Sequence, residues 1–120
     1  MHVRFSLAIS VAALAVVPAA AASPPSLMLT PDHVRAGGVV RVHGSAGGCP
    51  AGDTVFVLSR AFAPRHEFAS VPAVLARVRA DGTFAARTMI PHTRRSGRYS
   101  VTARCGGGNL GVLRTLTVRR

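Results

Sequence analysis

Gly97-Arg98-Tyr99-Ser100-Val101-Thr102-Ala103-Arg104-Cys105 places Tyr99, Val101, Ala103 and Cys105 on one face and Arg98, Ser100, Thr102 and Arg104 on the other. A period of two residues is the signature of a half-buried β-strand. The inner face opens on the one tyrosine of the chain and closes on one of its two cysteines. The other, Cys49, lies far upstream, so this strand is expected to anchor a long-range Cys49–Cys105 staple.

Working outward, six more short segments read as strands: residues 27–29, 39–44, 54–58, 74–78, 84–90 and 112–118. In 39–44 the inner set is Val40, Val42 and Gly44. In 54–58 both faces are apolar, Val55 and Val57 against Phe56 and Leu58, which suits a central position. Val74, Ala76 and Val78 before Ala80-Asp81-Gly82, and Phe84, Ala86, Thr88 and Ile90 after it, read as a hairpin. A three-residue loop with Gly82 in the left-handed conformation pairs Val78 with Phe84 and keeps Arg77, Arg79 and Arg87 in solvent. Residues 30–38 read as a turn or bulge, and residues 60–71 as a long irregular connection. Arg119-Arg120 follows the last strand at once, and no wall-sorting signal is expected there.

The chain has 120 residues, 15 Lys+Arg against 4 Asp+Glu, and a formal net charge of +11; every basic residue among the 15 is arginine. That length and an apolar content of 48% fit one folded domain. Residues 1–22 read as a secretory signal peptide: His2 and Arg4, an apolar run over 5–17, then Pro18 and an alanine tract before Ser23. The run is shorter than the roughly 20 residues of a bilayer span, so no transmembrane segment is expected in the mature form. The expected organisation is a signal peptide at 1–22, a flexible lead-in at 23–26 and one β-domain at 27–120. The expected location is secreted or extracellular, in association with the cell envelope. Such an oxidising compartment suits the disulfide.

The segments Thr30-Pro31, 37–44, Ala80-Asp81-Gly82-Thr83-Phe84, Ile90-Pro91, 97–105 and 116–118 together resemble bacterial, actinobacterial-type secreted Ig-like domains. The resemblance implies an all-β, immunoglobulin-like antiparallel β-sandwich of about seven strands. It also implies that Tyr99 is a corner tyrosine whose hydroxyl reaches back to the preceding crossover. Cys49 sits in the loop after the second strand, so its bridge should staple one end of the sandwich. Residues 39–52 are, in addition, similar to the second strand and following loop of the apoprotein carriers of enediyne chromophores, although those carriers use two disulfides.

Catalytic chemistry finds no purchase in the sequence. Asp32, Asp53, Glu67 and Asp81 all fall in expected loops and turns, where aspartate usually serves backbone hydrogen bonding. The histidines lack metal-ligand spacing, and the glycine runs precede no expected helix, so no catalytic residue, metal ligand or cofactor is predicted. Two binding features remain. Arg41, Arg77, Arg79 and Arg87 are expected to share one outward sheet face without an acid, a surface suited to an anionic envelope polymer or another protein. Phe56, Leu58, Phe62 and Phe68 could wall an apolar cleft between the third strand and the long connection. The primary functional reading is a secreted, non-enzymatic module with a structural or binding role at the envelope. The alternative is a small-molecule carrier. Nucleic acid is not an expected partner, because secretion removes most targets and Tyr99 is expected to be buried.

Overall fold

A computed structural model describes residues 2–12 and 23–120. Residues 2–12 carry no regular secondary structure; residue 1 and residues 13–22, with the expected leader cleavage site, lie outside the described residues. The domain is all-β. Its strands are β1 (Met28–Thr30), β2 (His33–Arg35), β3 (Val39–Ser45), β4 (Thr54–Leu58), β5 (His66–Phe68), β6 (Val71–Arg77), β7 (Thr83–Met89), β8 (Gly97–Cys105) and β9 (Gly108–Arg119). They form a three-stranded sheet, β1-β3-β7, and a six-stranded sheet, β2-β9-β8-β4-β6-β5. No helix among the described residues is long and apolar enough to cross a membrane.

One apolar cluster joins the two sheets. Val40, Val42 and Phe84 enter it from the smaller sheet, and Val55, Val57, Val101, Ala103, Leu116 and Val118 from the larger. The alternation in β8 survives: Val101 and Ala103 are buried, while Arg98 and Ser100 are exposed. β4, apolar on both faces, does take an interior place between β8 and β6. Its Val57 stands opposite Ala103 on one side and Val74 on the other.

Two strands appear where none was expected. β2 runs parallel to β9 with only Val34 buried, and β5 pairs with β6. Three residues with one buried side chain are too short to display a period. The expected hairpin between β6 and β7 requires a larger correction. Its turn forms: Gly82 has φ +81°, its N–H donates to Arg79 O (2.9 Å), and Arg79 N–H donates to Thr83 O (2.8 Å). Beyond that turn the strands part into different sheets. Phe84 lies opposite Gly44 and Ala86 opposite Val42, while Ala76 lies opposite Val55. The neighbours on each side draw them apart, since Val78 N–H donates to Asp53 O (2.8 Å) and Ala46 N–H donates to Gly82 O (2.8 Å). Glycine at position 44 is required, because a Cβ there would collide with the carbonyl of Ser26.

Cys49 and Cys105 form the expected disulfide across a sequence separation of 56 residues, with Cα atoms 5.9 Å apart. It ties the loop after β3 to the end of β8. Tyr99 Oη donates to Arg95 O at 2.7 Å, reaching back to the crossover that precedes its strand.

Closing a loop of this length is expected to stabilise the domain by about 4 kcal/mol through the unfolded chain. Denaturant titration with and without reductant should therefore show a loss of that order. Phe84, almost fully buried, should cost ~3–5 kcal/mol when replaced by alanine, read in the same assay.

Candidate functional site

Because Val55 and Val57 fill the core, the side chains between them emerge on the opposite, outer face of the larger sheet. Phe56 and Leu58 are there, opposite Leu75 and Ala73 of β6 and opposite Arg104 and Thr102 of β8. Phe68 of β5, opposite Val71, reaches the same face from the sheet edge. Its ring meets that of Phe56 at a centroid distance of 5.7 Å and an interplanar angle of 49°. Aromatic pairs favour such tilted geometry over a parallel sandwich. Ala73 is buried beneath this face without joining the central core cluster.

Arg104 completes the group. Its guanidinium carbon lies 4.9 Å from the centroid of Phe68, a cation–π contact, and Nη2 donates to Gly107 O at 2.8 Å. The Nε of the same side chain is shielded from solvent and has no hydrogen-bond partner. On the same sheet a recess of about 380 Å³ is lined by Leu58, Val71, Thr102, Ser100, Arg60 and Tyr99, among others; neither phenylalanine of the pair lines it. The surface is thus apolar and aromatic, with arginine and hydroxyl groups at its margin. That combination suits a flat, weakly polar organic molecule.

Of the four residues expected to wall an apolar cleft, the structure brings Phe56, Leu58 and Phe68 to this face and removes Phe62. Phe62 is 0% exposed and belongs to the central core. Its place in the 60–71 connection gave no period from which burial could be read. Arg104 went unnoticed in the sequence because alternation marks it only as outward-facing. Nothing local shows that β5 brings an aromatic ring beneath it.

The four arginines expected on one sheet are divided. Arg41 and Arg87 are cross-strand partners on β3 and β7. Arg77 lies opposite Thr54 on the other sheet, and Arg79 sits at the turn after β6. The cause is the departure of β6 from the smaller sheet. Of the four acids expected in loops and turns, Asp32 and Asp81 make local side-chain hydrogen bonds, while Glu67 lies in β5. A hydrogen bond from His33 Nδ1 (2.9 Å) holds Asp32 below the usual carboxylate range, and hydrogen bonds from Thr83 do the same for Asp81. His43 is pushed down by burial and then by Arg41, which favours its neutral form on that face. Cys49, Asp53 and Cys105 cluster closely, but both sulfurs are committed to the disulfide and so are lost as metal ligands.

No family model matches the sequence, and no curated protein matches it. Among solved structures the fold is similar to macromomycin, with a TM-score of 0.54 and 17% identity, over 79% of this chain and 99% of that one. It is also similar to part of the Pseudomonas fluorescens alkylpurine DNA glycosylase AlkC, solved bound to DNA containing an abasic site analog. There the TM-score is 0.50 at 18% identity, over 78% of this chain and 29% of that one. At these identities the likeness is one of fold.

The contrast between the phenylalanines can be measured. Phe62→Ala should destabilise by ~3–5 kcal/mol, whereas Phe68→Ala, on a three-residue edge strand and half-buried, should cost about 1 kcal/mol. Equal losses in chemical denaturation would contradict the placement of the two rings.

Proposed function

We propose that this chain is a secreted, non-enzymatic carrier that holds a small aromatic or polyunsaturated molecule on the outer face of the six-stranded sheet. The observation that carries the reading is the Phe56–Phe68 pair capped by Arg104, on the same sheet as Leu58 and Val71, which line an open recess. Support comes from two further sides. The fold is similar to that of macromomycin, and residues 39–52 are similar to the second strand and following loop of the apoprotein carriers of enediyne chromophores. The module reading, a structural or polymer-binding role at the envelope, draws less support because its four arginines do not share a face.

On fold type, we read the two sheets as an immunoglobulin-like sandwich in which β6 is displaced to the larger sheet. Supporting this are the seven strands foreseen in the sequence and the hydrogen bond from Tyr99 to the preceding crossover. Secretion is supported by the leader-like residues 1–22 and by a disulfide, which persists in oxidising compartments. Enzymatic activity has no supporting constellation: among the described residues, the one carboxylate paired with a histidine is Asp32 with His33, both well exposed.

Titration of the purified chain with N-phenyl-1-naphthylamine, a neutral aromatic fluorophore, tests the carrier reading. Saturable binding at one site is expected, weakened about tenfold or more by Phe56→Ala or Phe68→Ala, since each ring supplies contact area and stacking. Arg41→Gln with Arg87→Gln should leave it unchanged. Absence of saturable binding, or binding indifferent to both phenylalanines, would overturn the reading.

A further inference from the structure

Beyond residue 23 the exposed large hydrophobics are Met28, Val39, Leu75, Met89 and Leu113. Three of these five, Val39 (53% exposed), Met89 (42%) and Leu75 (37%), line a single groove of about 350 Å³. The groove lies on the seam between the sheets. Val39 and Met89 are cross-strand partners at one end of the β3–β7 pair, and Leu75 belongs to β6 across the gap. β7 is the edge of its sheet, so no further strand covers this side. None of the three residues lines the recess along Leu58 and Val71, although Leu75 lies opposite Phe56 on the neighbouring strand.

The rim has the opposite character. Arg65, His66 and Arg87 stand around the apolar floor. Arg41 lies directly across the strand pair from Arg87. Like charges in register on neighbouring strands repel. Among the described residues no carboxylate lies within ion-pairing distance of either guanidinium, the one such pair being His33 with Asp32. The face therefore carries unneutralised positive charge beside solvent-exposed hydrocarbon. Each is unfavourable alone, and one ligand type relieves both: a hydrocarbon chain that covers Val39, Leu75 and Met89 while its anionic head meets the arginines.

We propose that this seam groove is a second binding site, specific for a single-chain amphiphile with an anionic head, a free fatty-acid carboxylate being the simplest. The concave shape and the volume favour one chain in solution over a flat bilayer surface. The head recognises Arg87 and Arg65 through charge-assisted hydrogen bonds, and the chain lies along the gap between β7 and β6.

The probe is sodium dodecanoate below its micelle concentration, titrated calorimetrically into the full chain, beside dodecyltrimethylammonium and phosphatidylglycerol vesicles. Dodecanoate should bind saturably at one site, and the cation of equal chain length at least tenfold more weakly. Arg65→Gln combined with Arg87→Gln should remove most of that preference with an unchanged melting temperature, because both side chains are exposed. Met89→Asp should abolish binding of dodecanoate, while Phe68→Ala should preserve it, so that failure here is distinguishable from failure of the aromatic site. Equal binding of anion and cation, insensitivity to Met89→Asp, vesicle binding without binding of free dodecanoate, or no saturable binding would each overturn the proposal.

Discussion

β4 carries more apolar surface than one core can absorb. Val55 and Val57 fill the space between the sheets, which leaves Phe56 and Leu58 on the side that a two-layer protein ordinarily gives to water. The rest of the larger sheet is arranged to accommodate that excess. β6 contributes a small residue, Ala73, β5 adds Phe68 from the edge, and Arg104 of β8 lays its guanidinium over the ring. An arginine can cover hydrocarbon in this way because its stem is apolar and its charged plane stacks on aromatic faces. The outer face is partly closed by these contacts, and what stays open is the recess along Leu58 and Val71.

Much of this architecture was legible in the residues. The two-residue period of β8 and β3, the double apolar character of β4, the left-handed Gly82 and the Cys49–Cys105 pairing all correspond to what the structure contains. These are local signals, each set by alternation, a turn requirement or an even cysteine count. Sheet membership is not local. The residues at 74–90 satisfy a hairpin perfectly well, but β6 pairs along its length with β4 and β7 with β3, so the two strands separate. A sequence read one segment at a time has no access to that pairing.

The same limit governs the sites. Phe56 and Leu58 could be placed on an outward face from alternation, but Phe62 and Phe68, six residues apart in an aperiodic stretch, could not be told apart. One went to the core and the other to the surface because β5 pairs with β6 through His66–Phe68 and leaves Phe62 behind it. The arginines show the converse error. Their exposure was read correctly, yet their grouping depended on a strand order that β6 does not follow. Charge and hydropathy thus predict whether a residue meets water more readily than which neighbours it meets there.

The disulfide joins the two ends of a stretch that contains β4, β5, β6, β7 and nearly all of β8. The exposed tip at Ala69 and Ser70, both at positive φ, lies inside that stretch. A protease that cut the chain there would therefore leave two polypeptides still held as one covalent molecule. Re-pairing of the severed strands would be an intramolecular event, favoured by a high effective concentration rather than opposed by dilution. The bridge thereby gives the domain tolerance to a nick at this exposed turn.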